Sequence, residues 1–334
     1  MSDIILVGVT EKEYNKSPEI YKQADPLKCL SLPPDQEEIA REITTQGIRH
    51  LILGVEDYTG PHIYKALPSG AVIVRHGVGY DGINLRRATT KGILCANTPG
   101  TLKRSVAEHT LTLLLAIAKQ LNRHLPAVRD RRWPSLTGIE LHGETLAIIG
   151  TGNIGNEVAR MASQCLGMHV IGLNHRFEAP EKLKAEYGYA KLTTDFTSAV
   201  STARFVSLHL PANSETANYL DDRRLDLLPG DVAVINTARG ALIDEIALYN
   251  ALREGDLGAA ALDVFQNEPY RPVEPDMDLR DLENVIMTPH VASSTAAANH
   301  RMARRALRNI KAAQQKEYTA MDLLNPELIE NGSD

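Results

Sequence analysis

Residues 150–155 read Gly150-Thr151-Gly152-Asn153-Ile154-Gly155, a GxGxxG pattern between the apolar run 146–149 and the helix-like stretch 154–163. In that setting each glycine has a physical task. Gly150 permits a tight turn, Gly152 lets the backbone approach a pyrophosphate, and Gly155 allows close packing of helix on strand. The N–H groups at Asn153 and Ile154 open the helix and face a phosphate with the positive end of its dipole. The pattern alone is weak, because a glycine-rich turn needs no ligand. The strand–turn–helix context makes it a dinucleotide cradle.

The next informative position lies about twenty residues on, where an Asp or Glu ordinarily holds the adenosine ribose hydroxyls of NAD. Here the second strand ends Leu173-Asn174-His175-Arg176, and no carboxylate follows until Glu178. Asn174 can bond a hydroxyl without repelling a phosphate, and Arg176 can grip a 2′-phosphate with two donors. The segment favours NADP over NAD. The alternative stays open: Asn174 serves NAD while His175 and Arg176 are solvated.

Hydride transfer to a 2-oxo acid needs a cation to bind and polarise the substrate. It also needs a general acid for the nascent alkoxide and a partner that keeps that acid charged. Arg239 follows a strand-like run in VINTARG, Glu268 follows ALDVF, and His290 ends VIMTPH. All three sit where strands end, the side on which open α/β sheets bind ligands. A carboxylate beside an imidazole raises its pKa, and a guanidinium offers a planar two-pronged grip. Taken singly, each has a plain structural reading: a capped histidine, an Arg-Gly turn, a solvated glutamate.

The elements that must position these groups alternate. Strand-like runs 4–9, 50–55 and 71–74 are interleaved with helix-like 35–43 and 83–90. A second set reads 145–150, 169–174, 205–210, 231–236, 258–264 and 284–289, mostly separated by helical stretches. The strands are continuous Ile/Val/Leu runs, the pattern of a parallel sheet covered on both faces. Between the sets a helical region is expected over 105–132. Its first half, SVAEHTLTLLLAIA, is apolar nearly all round and suits a buried interface. Pro99 and Gly100 break the chain before it. Another helix is expected over 296–315, and NPELIENGSD is expected to fray.

Composition excludes several classes. The chain has 334 residues, 43% of them apolar, and a formal net charge of −6, with no basic block for nucleic acid. Cys29, Cys95 and Cys165 have no metal-like spacing and are expected to be buried apolar residues in a reducing compartment. The start, MSDIILVGVT, lacks signal-peptide features, and the most apolar run, 111–118, is too short for a bilayer. A cytoplasmic protein with no membrane span is expected.

Together the segments resemble the D-isomer-specific 2-hydroxyacid dehydrogenase family. The matching text is HGVGYDGIN, NTPGTLKRSVAEHTLTLLLA, GIELHGETLAIIGTGNIG, HLPANSETANYL, INTARGALIDEIALYNAL, GAAALDVFQNEP and NVIMTPHVA, in family order over residues 70–295. The resemblance implies that Arg239, Glu268 and His290 form the catalytic triad. It implies that Asp263 bonds the nicotinamide carboxamide and that Thr237 and Ala238 lie by the nicotinamide. Leu210, Pro211 and Thr216 would lie along the pyrophosphate and adenine end. His76, Gly77 and Val78 would grip the substrate carboxylate through backbone N–H groups, with Arg75 either touching substrate or anchoring that loop. Lys103, His109 and Arg160 are read as structural or solvated.

The resemblance also implies a fold: two doubly wound parallel-sheet α/β lobes, with a Rossmann cofactor domain, 101–292, inserted into a flavodoxin-like substrate domain, 1–100 and 293–334. It implies lobe closure over a small 2-oxo or 2-hydroxy acid and a homodimer formed through the cofactor lobe. The family's NADP-using glyoxylate and hydroxypyruvate reductases carry a polar, basic segment like LNHR. Glyoxylate and hydroxypyruvate lead as substrates, with 3-phosphoglycerate as an alternative. A dinucleotide-sensing co-repressor on the same fold is the competing class. Formate enzymes of the family pair the histidine with Gln, so Glu268 argues against them.

Overall fold

The computed structural model describes residues 4–330. The expectation drawn from the first residues therefore rests partly on positions outside that range. The chain forms two compact units, one up to Leu102 and again from Ser294, the other Lys103–Ser293.

The first unit holds β1 (Ile5–Thr10), β2 (Leu27–Leu32), β3 (His50–Leu53), β4 (Val72–Arg75) and β5 (Leu94–Ala96). They form a parallel sheet in the order β2-β1-β3-β4-β5. β3 and β4 are buried at every residue, as continuous apolar runs require when helices cover both faces. β2 and β5 are absent from the sequence reading. Both are edge strands: LKCLSL mixes polar and apolar residues, and LCA is too short to show a period.

The second unit holds β6 (Thr145–Ile149), β7 (His169–Leu173), β8 (Tyr189–Thr193), β9 (Phe205–Leu208), β10 (Ala233–Asn236), β11 (Ala259–Leu262) and β12 (Val285–Met287). Their order is β12-β11-β10-β9-β6-β7-β8, all parallel. Strand order reverses direction between β6 and β9, the kind of crevice in which such sheets bind ligands. Edge strand β8, YAKLT, shows no apolar run in the sequence because its centre is polar and exposed.

Three expectations need correction. The helical region 105–132 is two helices, Lys103–Ala118 and Leu121–Arg129. They are separated at Gln120, whose φ of +52° is left-handed and ends a helix. The tail is not frayed over its described part. Asn325 is buried, accepts from Cys95 N–H at 2.8 Å and donates to Ile93 O at 2.9 Å, closing the open edge of β5. A short helix, Glu327–Glu330, follows, and residues 331–334 lie outside the described range. Cys95 is buried, but Cys29 is only half-buried and Cys165 is exposed, against the expectation of three buried cysteines. No helix among the described residues is long and apolar enough to cross a membrane.

Candidate active site

The glycine turn joins β6 to the helix Asn153–Leu166. Gly150 has φ +101°, and a Cβ there would lie 2.6 Å from His209 O, where β9 leaves the sheet. A side chain at Gly155 would collide with the Gly150 carbonyl, whereas one at Gly152 would meet nothing within 4 Å. The middle glycine thus faces open space, and no side chain caps the first N–H groups of the helix. An anion fits both features, so the residues present suit a pyrophosphate.

Beyond β7, Asn174 donates to Thr151 Oγ1 at 2.9 Å and accepts from His175 N–H at 2.9 Å. Arg176 is exposed and pairs with Glu178 at 3.0 Å. In the loop after β9, Thr216 Oγ1 donates to Pro211 O at 2.6 Å, which folds Leu210, Pro211 and Thr216 into one compact turn. His209 at its root is half-buried, with a pKa pushed down by burial to about 3, and its ring meets Ser207 Oγ at 2.9 Å. It stays neutral at ordinary pH.

Three adjacent strands carry the remaining groups. Arg239 lies three residues past β10, Asp263 and Glu268 past β11, and His290 three past β12. Sheet order β12-β11-β10 therefore brings them to one carboxyl edge. His290 Nδ1 meets Glu268 Oε2 at 2.6 Å, and Glu268 Oε1 accepts from Phe265 N–H at 3.0 Å. The pair is partly open to solvent. Arg239 Nη1 donates to Ala238 O at 2.7 Å. The neighbouring Gly240 lies against the backbone of Phe265 and Gln266 so tightly that any side chain would collide with it. The arginine turn and the glutamate turn are thereby locked together. Glu245 adds a second lock by accepting from Gln266 N–H at 2.6 Å.

Asp263 is fully buried. Its carboxylate accepts from Thr288 Oγ1 at 2.6 Å, Val291 N–H at 2.9 Å and Ala292 N–H at 2.8 Å. Burial alone would raise its pKa, but hydrogen bonds from His109, Thr288, Val291 and Ala292 hold it below the usual value. His109, read from sequence as structural or solvated, sits in this cluster at 3.1 Å from Thr288 Oγ1. Nothing in its spacing marks it, since it comes from the helix Lys103–Ala118, far along the chain. Thr237 is buried and bonded through its hydroxyl to Thr110 Oγ1 at 2.8 Å.

In the first unit, β4 ends in the loop carrying Arg75, His76, Gly77 and Val78. Arg75 is buried and donates to Gly79 O at 2.9 Å and Leu53 O at 3.2 Å, which anchors the loop. His76 is buried, and burial pushes its pKa down to about 3. The expected three-amide grip is reduced. His76 N–H already donates to Leu53 O at 2.9 Å, and Gly77 N–H to Arg75 O at 2.9 Å and Thr98 Oγ1 at 3.1 Å. Among the described residues Val78 N–H and Gly79 N–H have no such partner.

Comparison with known proteins supplies the frame for this geometry. Residues 111–292 match the D-isomer specific 2-hydroxyacid dehydrogenase, NAD binding domain. The chain is 33% identical over 305 residues to a glyoxylate reductase of Thermofilum pendens, covering 89% of this chain and 86% of that protein. It is 34% identical over 314 residues to a glyoxylate reductase of Thermococcus litoralis, covering 90% and 91%. Among solved structures, it superposes with TM-score 0.78 and 25% identity on an NADPH-dependent glyoxylate/hydroxypyruvate reductase of Sinorhizobium meliloti in complex with NADP and malonate, covering 93% of each chain. The chain belongs to the D-isomer specific 2-hydroxyacid dehydrogenase family of nicotinamide-dinucleotide oxidoreductases.

Proposed function

We propose that this chain reduces small 2-oxo acids to 2-hydroxy acids, with glyoxylate and hydroxypyruvate foremost, and uses NADPH in preference to NADH. The observation that carries the reading is the 2.6 Å His290–Glu268 pair at the same sheet edge as Arg239. Bound nicotinamide supplies the hydride, or accepts it in the reverse direction. His290 donates an Nδ1–H hydrogen bond to Glu268, which leaves the Nε2 hydrogen as the proton delivered to the substrate oxygen. Glu268 fixes the orientation of the ring and the placement of its Nδ1 hydrogen before that step. Arg239 holds the substrate carboxylate with its planar donor fork. His209 and His76 are unsuited to the acid role, because burial keeps both neutral near pH 7. Asp263 Oδ2, which among the described residues accepts the Ala292 N–H alone, keeps acceptor capacity for the nicotinamide carboxamide.

In the first unit, Val78 N–H and Gly79 N–H are proposed as anion donors of the loop after β4. They take the place of His76 and Gly77. Residues 1–100 with 293–334 are proposed as the substrate-binding domain, and 101–292 as the cofactor domain.

The test is oxidation of NADPH and of NADH against glyoxylate, hydroxypyruvate, pyruvate, phenylpyruvate, 2-oxoisocaproate and 3-phosphohydroxypyruvate. Turnover fastest with NADPH and one of the first two acids supports the proposal. No turnover despite dinucleotide binding contradicts it.

Cofactor preference rests on Arg176. Replacing it with alanine removes one charged grip on a 2′-phosphate, about 1.5–3 kcal/mol. Arg176→Ala is therefore expected to weaken NADPH binding at least about tenfold and to leave NADH binding within about twofold. Equal losses for both dinucleotides would remove the basis for NADP preference.

The chain is proposed to act as a homodimer through its second unit. Leu121, Leu125 and Val128 share one face of the helix Leu121–Arg129 and are exposed, and Trp133 beyond it is 88% exposed. Large apolar side chains left exposed together on one helix face suit an interface. Sedimentation should give about twice the 36.7 kDa chain mass, and Leu125→Asp should shift it to the monomer. A monomer in the unaltered protein would refute the assignment.

A further inference from the structure

His290 has φ +52°, a left-handed backbone that β-carbon-bearing residues adopt at a cost. Its N–H donates to Asp263 O at 2.8 Å and Thr288 O at 3.0 Å. The Asp263 carboxylate grips the chain on both sides of this bend, at Thr288 before it and at Val291 and Ala292 after it. What aims the histidine is therefore the buried aspartate.

The Thr288 hydroxyl donates its single hydrogen to Asp263 Oδ1. Toward His109 Nε2 it can then only accept, so that ring nitrogen carries hydrogen and donates across 3.1 Å. The result is a directed chain, His109 Nε2–H to Thr288 O–H to Asp263 carboxylate. His109 Nε2 also lies 3.5 Å from Asp263 Oδ1. The neighbouring strand β12 and the helix Lys103–Ala118 are thus tied at one point, beside the strained bend.

We infer that His109 is a positioning residue for His290, holding through Thr288 and Asp263 the bend that presents the catalytic ring. The inference rests on the reading of His290 as proton donor. Leucine at 109 cannot donate to Thr288, whereas the amide nitrogen of glutamine can. The loosened bend should then slow proton delivery, while the Ala292 N–H to Asp263 Oδ2 bond and the phosphate-facing turn after β6 are left in place.

The experiment compares His109→Leu, His109→Gln and His290→Ala, using NADPH and the most rapidly reduced acid of the panel. His109→Leu is expected to lower kcat about tenfold, leave the NADPH Kd within about twofold and enlarge the solvent deuterium isotope effect on kcat. His109→Gln is expected to restore kcat to within about threefold of the original. Should the leucine variant not fold, His109→Asn replaces it, being polar but too short to reach Thr288. Unchanged kcat and isotope effect in the leucine or asparagine variant would overturn the inference. So would a loss that glutamine does not restore. His290→Ala separates the two levels. If it is inactive while His109→Leu is unaffected, only this inference fails; if it keeps full turnover, the catalytic reading itself fails.

Discussion

His290→Ala is expected to lower kcat by about a thousandfold, within the usual range for a lost general acid. The dinucleotide Kd should stay within about twofold, because the imidazole lies past β12, away from the glycine turn after β6. Glu268→Gln should be milder, about tenfold to a hundredfold. Glutamine can still accept the Nδ1–H hydrogen bond but carries no negative charge beside the ring. Arg239→Ala should lose at least about a hundredfold and raise KM, since it removes the carboxylate grip together with carbonyl polarisation. Steady-state kinetics with a parallel dinucleotide titration would check all three. Near-normal rates in both His290→Ala and Arg239→Ala would end the catalytic assignment.

The second large effect concerns the glycine turn. Gly150→Ala must place a Cβ 2.6 Å from His209 O and 2.8 Å from His209 C, with φ at +101°. Neither obstacle is the flexible end of a side chain. Both belong to backbone fixed to β6 by the His209 N–H to Ile149 O bond at 2.7 Å. The turn must therefore shift, and the phosphate-facing N–H groups with it. Losing two charged hydrogen bonds of about 1.5 kcal/mol each corresponds to roughly a hundredfold weaker dinucleotide binding. Gly150→Ala should also lower the melting temperature. Gly152→Ala offers the contrast. Its Cβ meets nothing within 4 Å, so the dinucleotide-free protein should melt normally while binding is weakened by the methyl group in the cradle. Calorimetric titration and thermal melts would check the pair. Equal melting losses in both variants would contradict this division of roles.

The two parallel sheets were legible because their central strands are uninterrupted apolar runs, such as the fully buried AVIN of β10. The edges were not. β8 carries lysine at its centre, and β5 spans only three residues, so neither shows a period. The glycine turn and the trio Arg239, Glu268 and His290 could be named because each follows a recognisable strand. Spacing could not reveal that β10, β11 and β12 are neighbours, which is what brings the trio to one edge. Hydrogen-bond bookkeeping was also hidden. The sequence offers the amides of His76 and Gly77 to a ligand, while the fold uses both for Leu53, Arg75 and Thr98. His109 illustrates the same limit, for its partner Thr288 is 179 residues away. The break at Gln120 lacked the usual glycine or proline signal, since glutamine itself adopts the left-handed turn.

Deuterium transfer tests the central claim most directly. The protein is mixed with glyoxylate and NADPH carrying deuterium at the transferable C4 position, and the product is examined by mass spectrometry and proton NMR. Glycolate with one deuterium at C2 is the predicted result, and His290→Ala should form it at a small fraction of the rate. Dinucleotide that binds but yields no deuterated hydroxy acid, with glyoxylate or with any other acid of the panel, would contradict the account and point to a dinucleotide-sensing protein on the same fold.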